Sequence, residues 1–321
     1  HGAAAPPQRM KSPSPAVKLA AAMRKIALAL LLLLGLGGMG LNLAMAFGLE
    51  WPSAWRAPGR VTTSPALGGP SAGAAATARA PYADSSGAPR WARGQKPILA
   101  ILIDDWGYDW AAADGFLQLP PAITVSVLPE LADSVNQARA AAAAGHEVLL
   151  HLPMQPQDPD LKLSPGAIRV AMTDAEILAT VARDIAAVPG IIGINNHEGS
   201  AATADARVMR AVVGEARAHG LFFVDSRTTA KTAVPAVDRE LGLPYYHNTL
   251  FIDNVGEREA IERRLEQAAA QARRSGVAVV IGHVRPATLA AIQTELPRLA
   301  AAGIKVVPLS VALAAQALRQ E

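Results

Sequence analysis

The chain of 321 residues has no cysteine. That single absence excludes a thiol nucleophile, a zinc–thiolate site and any disulfide, and it is compatible with an oxidising compartment without requiring one. A second absence concerns glycine patterning. No glycine fingerprint for a dinucleotide or a nucleotide phosphate follows any candidate strand, so neither a Rossmann nor a P-loop reading has support. A third is local: Ile26 to Leu49 is a run of 24 residues without one charged side chain. The scarcity of acids in the first 95 residues is the fourth. That part holds ten Lys/Arg against two Asp/Glu, whereas residues 96–321 hold twenty against twenty-five. The overall charge of +3 therefore hides a mildly acidic C-terminal part, which argues against nucleic acid as a partner.

These features divide the chain into four. Residues 1–25 are basic and rich in Pro and Ala with no apolar periodicity, as expected of a disordered N-terminus. Residues 26–49 are long enough to span a hydrocarbon core that needs about 20 residues, and the basic residues before them orient the rest of the chain outward. Two readings stand for this segment. Trp51 and Trp55 suit the interfacial belt of an uncleaved anchor, whereas Ala44-Met-Ala46 resembles a signal-peptidase site. Either places the remainder outside the cytoplasm, in the periplasm, with the inner membrane as a partner through residues 26–49. Residues 50–95 are Ala, Gly, Pro and Ser with scattered Arg, the composition of a flexible linker.

From Lys96 the texture changes to alternating strands and Ala-rich amphipathic helices. Candidate strands are 98–103, 123–127, 147–151, 191–195, 221–225, 245–247, 277–282 and 304–307, with helices at 132–143, 174–187, 205–218, 257–274 and 287–301. Thr173-Asp-Ala-Glu176 is a capping box. Repeated strand–helix units of this spacing predict an α/β domain over 96–321, a distorted (β/α) barrel of seven or eight parallel strands, with an open doubly wound sheet as the alternative.

Chemistry-bearing residues gather at the strand ends. The apolar run Ile98–Ile103 ends in Asp104 and Asp105, and later strands end at His151, at Asn195-Asn196-His197-Glu198, at Asp225-Ser-Arg227 and at His283. These are carboxyl ends, the face on which parallel α/β barrels carry their sites. Any one of the histidines fits a structural role equally well. Three of them converging with a double aspartate match a catalytic divalent-metal centre, in which two imidazoles and a carboxylate leave a coordination position open. Zinc is the leading candidate, and nickel or cobalt accept the same ligands. Trp106, Tyr108 and Trp110 follow the aspartates and could stack on a sugar or pack on the barrel rim.

Five segments together resemble a known family: Ile103-Asp-Asp-Trp-Gly-Tyr108, Gly145-His-Glu-Val-Leu-Leu-His-Leu-Pro-Met154, Gly193-Ile-Asn-Asn-His-Glu-Gly-Ser200, Leu221-Phe-Phe-Val-Asp-Ser-Arg-Thr-Thr229 and Ile281-Gly-His283. The resemblance is to the divergent polysaccharide deacetylases and covers roughly residues 96–315. It implies a distorted (β/α) barrel, Asp105, His151 and His197 as metal ligands, Asp104 as catalytic base and His283 as acid, with Arg227 orienting the base. Trp106, Tyr108, Asn196 and Asp225 are then candidates for contact with a glycan substrate, for example peptidoglycan. Two departures stand out: Glu198 occupies a position where the family pattern has Met, and Val284-Arg285 replaces an expected Pro-Tyr. Glu198 is either a further ligand or a solvent-facing bystander. The other classes compatible with the residues are a non-catalytic glycan-binding scaffold and a phosphoesterase, for which Arg227, Lys231 and Arg285 are the available cations.

Overall fold

The computed structural model describes residues 96–318, so the expectations for 1–25, 26–49 and 50–95 lie outside the described residues. The fold is organised on β1 (Ile98–Trp106), whose first six residues have no exposed surface. A strand of Ile, Leu and Ala with both faces covered belongs in the middle of a parallel sheet. The chain then adds β2 (Ile123–Val127), β3 (Val148–Met154), β4 (Ile191–Glu198), β5 (Phe222–Asp225) and β6 (Tyr246–His247) in order on one side. On the other side lie β8 (Val277–His283) and then β7 (Leu250–Phe251), while β9 (Lys305–Val306) pairs with the first two residues of β1. Every strand pairing is parallel.

This order explains the curvature. The sheet ends in β6 and β7, yet only Asn248 and Thr249 separate those two strands in the chain. Two residues span at most about 7 Å, so the edges must come together and the sheet must curl round. The result is the distorted (β/α) barrel expected from the sequence, left unpaired along one seam. The open doubly wound alternative is excluded. β7 is the strand that the sequence pattern did not reveal, being two residues long.

Helices α1 (Trp110–Ala113), α2 (Ser134–Ala143), α3 (Asp174–Ala187), α4 (Ala206–Ala218), α5 (Val234–Glu240), α6 (Arg258–Ser275) and α7 (Pro286–Ala301) follow the strands, and α8 (Leu309–Ala317) ends the described chain. Thr173 caps α3 through the reciprocal bonds expected of its capping box. Alternation along the strands sorts the core into two layers. Leu99, Ile101 and Ile103 face the helices, packed with Val208, Leu265 and Ile292. Ile98, Ala100 and Leu102 face inward with Leu149, Val224, Val279 and Ile281.

That inner layer also holds Leu309, Ala312, Leu313 and Ala315, so α8 packs on the barrel's inward face and not on its outer wall. Leu309, Ala312, Leu313, Ala315 and Gln316 are its buried positions, while Val311 is left exposed on the opposite side. Its ends are tied by side chains: the Leu309 amide donates to Thr124 Oγ1, and Gln316 exchanges two bonds with the backbone of His247. Among the described residues no helix is long and apolar enough to cross a membrane.

One buried acid makes stability depend on pH. Asp238 in α5 is 3% exposed, and its Oδ2 has no hydrogen-bond partner. Burial, reinforced by the nearby Asp225, pushes its carboxyl up to about 7. The folded state thus holds this proton more tightly than the unfolded chain, where an aspartate titrates near about 3.9. Its contribution is present at acid pH and is lost as pH rises through about 7, by up to ~4 kcal/mol. Asp238→Asn should flatten this dependence, so that the urea midpoint falls less between pH 5 and pH 8 than in the wild type. Parallel loss in the two proteins would assign the effect to other groups.

Candidate metal centre

The inward layer that carries Leu102, Leu149 and Ile281 continues, two residues later on each strand, into Asp104, His151 and His283. Alternation alone would send Asp105 to the opposite face from Asp104. A bulge prevents this. Between Ile103 and Trp106, β1 runs three residues forward while β2 advances two, from Val125 to Val127. Asp105 takes up the extra residue in the left-handed region, at φ 67°, a conformation that aspartate tolerates better than most residues. The two adjacent carboxylates can then serve one cavity. Glu198, at the end of β4, is also left-handed at φ 54°, and its carbonyl accepts from Asn196 Nδ2 and Thr228 Oγ1.

Three donor atoms converge. His151 Nε2 lies 3.3 Å and His197 Nδ1 3.1 Å from Asp105 Oδ1, and the two ring nitrogens are 3.1 Å apart. All three fall within 4.8 Å of one another. Asp105 Oδ1 is buried and accepts no hydrogen bond. A carboxylate oxygen facing two imidazole nitrogens fits a small cation, and this donor set suits a divalent metal such as zinc. Asp104 and His151 form the floor at 2% exposure each, while Asp105 at 29% and His197 at 18% open to solvent.

Asn195 holds the floor together. Its Oδ1 accepts from His151 Nδ1 at 3.1 Å and from Ser126 Oγ, and its Nδ2 donates to both oxygens of Asp104 at 3.0 Å. The amide has a donor end and an acceptor end, so satisfying Asp104 with Nδ2 leaves Oδ1 for His151. His151 must then carry its proton on Nδ1, and Nε2 keeps a lone pair for a metal. Ser226 Oγ, itself anchored on the Asn196 carbonyl, lies 3.2 Å from Nδ2 and locks the amide further.

The electrostatics separate the two acids. Burial raises Asp104, and this outweighs the attraction of His151 and His283 and the bond from Asn195. Burial acts to raise Asp105, but the imidazoles of His151 and His197, both within 3.3 Å of its oxygen, hold it far below the usual carboxylate range. On His151, burial favours the neutral ring and the two aspartates reverse it, so its affinity for a proton rises.

Across the sheet Asp104 is the register partner of His283. Asp253 supports that ring: its Oδ1 accepts from His283 Nδ1 at 2.8 Å, while Oδ2 accepts from the His283 amide at 2.7 Å and from Thr288 Oγ1 at 2.8 Å. Burial lowers the His283 pKa, but the Asp253 carboxylate outweighs it and raises it. Asp253 is fully buried and follows β7, the strand too short to leave a pattern in the sequence.

Four expectations need correction. Trp106 is completely buried, edge-to-face on Phe116, because the bulge turns it back into the outer core; it does not reach a substrate. Asn196 is 1% exposed, with its amide spent on the Glu198 carbonyl and the Ser226 amide. Asp225 is fully buried and accepts from Tyr245 Oη and the Arg227 amide. Arg227 makes no bond to Asp104; Asn195 takes the orienting position instead. Tyr108 does stand at the mouth, 56% exposed, its hydroxyl pKa raised by burial and by the carboxylates of Asp105 and Glu198. Trp110 donates from Nε1 to Asp133 and packs beside it.

The three candidate ligands come from three strands, so a metal held by them would depend on the fold. His151→Ala and His197→Ala should each lose most bound metal, measured by elemental analysis of the folded protein. Asn195→Ala keeps every ligand and should weaken affinity about 10–100-fold in a chelator competition, the usual effect of losing an outer partner. Unchanged metal content in both histidine variants would rule this ligand set out.

Comparison with known proteins gives the same picture. The profile of the divergent polysaccharide deacetylases matches residues 101–313. The chain is 34% identical to an uncharacterized protein of Haemophilus influenzae over 201 residues, 63% of this chain and 71% of that one. It is 34% identical to the uncharacterized protein YibQ of Escherichia coli over 195 residues, 61% of each. Among solved structures it is similar to the uncharacterized protein ATU2773 from Agrobacterium tumefaciens C58, with a TM-score of 0.65 at 21% identity over 70% of this chain and 92% of that one. That likeness bears on the fold, and the profile match across the whole barrel bears on the family: the chain belongs to the divergent polysaccharide deacetylases.

Proposed function

We propose that the protein is a metal-dependent hydrolase that removes acetyl groups from a glycan of the cell envelope. The observation that carries this reading is the pairing, above one buried floor, of a three-atom metal-ligand set with two proton-transfer groups that are not ligands. A divalent cation held by Asp105, His151 and His197 would polarise the acetyl carbonyl and make water a better nucleophile at neutral pH. Asp104, held by Asn195 and raised by burial, would take the proton of that water. His283, whose proton affinity Asp253 raises, would return a proton to the leaving nitrogen or oxygen as its bond to the acetyl carbon breaks. The products are acetate and the free amine or alcohol.

A scaffold protein would have no need of an Asp–His pair beside the ligand set. A phosphoesterase would call for free cations around the centre; among the described residues no Lys or Arg pairs with Asp104 or Asp105, and Arg285 is committed to Asp253, donating to its carbonyl at 2.8 Å. Tyr108 is the aromatic available at the mouth for a sugar face. The uncharged run at 26–49 supports presentation of the barrel on the outer side of the inner membrane, where such a glycan lies.

Asp104→Asn removes the basicity while keeping the shape. It should keep metal and fold yet release acetate from acetylated chito-oligosaccharide or peptidoglycan fragments about 10²–10⁴-fold more slowly. His283→Ala should likewise lose rate and keep metal. If the wild type releases no acetate while Asp104→Asn unfolds or drops its metal, Asp104 is structural and the deacetylase reading fails.

A further inference from the structure

The barrel seam carries a second cavity, of about 450 Å³, and none of the residues of the metal centre lines it. Elsewhere a helix follows each long strand and covers the sheet. Between β6 and β7 there are only Asn248 and Thr249, and the space left open is bounded by those strands, by the C-terminal half of α6 and by Gln316 of α8. The volume is in the range of small-ligand sites.

Its lining is one-sided in charge. Arg227 and Arg274 contribute to it and no aspartate or glutamate does, although residues 96–321 as a whole are net acidic. Neither arginine forms an ion pair among the described residues; Arg274 reaches only the Gln271 side-chain oxygen. The acceptors on the wall are also spent. Gln271 Oε1 serves Arg274, Gln267 Oε1 serves Arg264, Thr249 Oγ1 accepts from the Val279 amide, and Gln316 Oε1 from the His247 amide. Apart from the Ser275 hydroxyl, which donates to the Gln271 and Val277 carbonyls, what remains is a set of N–H donors: the two guanidinium groups and the side-chain amides of Gln267 and Gln271.

Two further features mark the wall. The His247 ring is stacked on Tyr245 at 4.7 Å, and burial and the neighbouring Arg227 lower its pKa, which keeps the cationic character of the wall on the arginines. Arg227 sits at φ 57°, a left-handed conformation that an arginine rarely adopts. Its amide is fixed on Asp225, and its guanidinium lies at the seam and not at the base it was expected to orient.

We propose that the seam cavity binds a small molecule through an oxyanion, phosphate or carboxylate, held between Arg227 and Arg274. Planar guanidinium groups bind either oxyanion in a forked geometry, and the apolar floor of Leu250 and Val277 suits a compact organic remainder.

The test uses the full-length protein, stripped of metal with a chelator so that the ligand centre cannot hold the anion. Inorganic phosphate and succinate are titrated by calorimetry at constant ionic strength, in separate arms that identify which oxyanion is preferred. Saturable binding of at least one is expected, weakened about tenfold or more in both Arg227→Gln and Arg274→Gln and unchanged in Tyr108→Phe at the other mouth. Circular dichroism checks that each variant is folded. Absence of saturable binding in both arms overturns the proposal, as does binding that survives both arginine substitutions. Neither result bears on acetate release, so the deacetylase reading stands or falls separately.

Discussion

A carboxylate oxygen with no hydrogen-bond donor, 3.1 and 3.3 Å from two imidazole nitrogens, is the constraint on which the rest of this structure depends. In an interior of low polarity such an arrangement persists only if a positive charge is shared among the three groups. The surrounding architecture serves to create it. The bulge at the end of β1 turns Asp105 inward beside Asp104, and β3 and β4, paired with His151 opposite Asn195, bring the two imidazoles to the same level. Asn195, one amide, sets the proton position on His151 and holds Asp104 at once. Removing any of these features would leave a buried charge without its partner.

The apolar layers make that precision affordable. Beneath the site the inward residues of five strands pack against α8, so the floor is closed from below by hydrocarbon. Above it, solvent reaches Asp105, His197 and His283 but hardly reaches Asp104 or His151. Solvent and any ligand would therefore approach from one side only. The acid that burial raises lies at the bottom, and the histidine held by Asp253 lies on the neighbouring strand. Environments that drive titrating groups apart in this way are what general acid–base chemistry requires.

The seam follows from the same topology. Strands of two residues cannot host a covering helix between them, and closing the curl through Asn248 and Thr249 leaves a gap in the wall. Gln316 satisfies the His247 amide and carbonyl at the β6 edge. Arg227 belongs to the same loop as Ser226, which touches Asn195, so the seam and the floor of the metal centre share one short segment of backbone.

Much of this was legible in the sequence. The strand–helix alternation from Lys96, the two-sided burial of Ile98–Ile103 and the capping box at Thr173 are local properties, set by side-chain periodicity and hydrogen bonds within a few residues. The gathering of Asp104, Asp105, His151, His197 and His283 at strand ends was legible too, because a parallel barrel puts all carboxyl ends on one rim. Tertiary structure alone decided the rest. Whether Asp105 faces in or out turns on one bulged residue, and whether Asn195 or Arg227 meets Asp104 turns on which side chain the β4–β5 register brings within reach. Trp106, Asn196 and Asp225 looked available for a substrate and are buried, since orientation at a strand end is set by neighbours distant in the chain. Periodicity specifies which face a residue is on only while the strand is regular. At the rim, where the chemistry lies, the strands stop being regular, and packing decides.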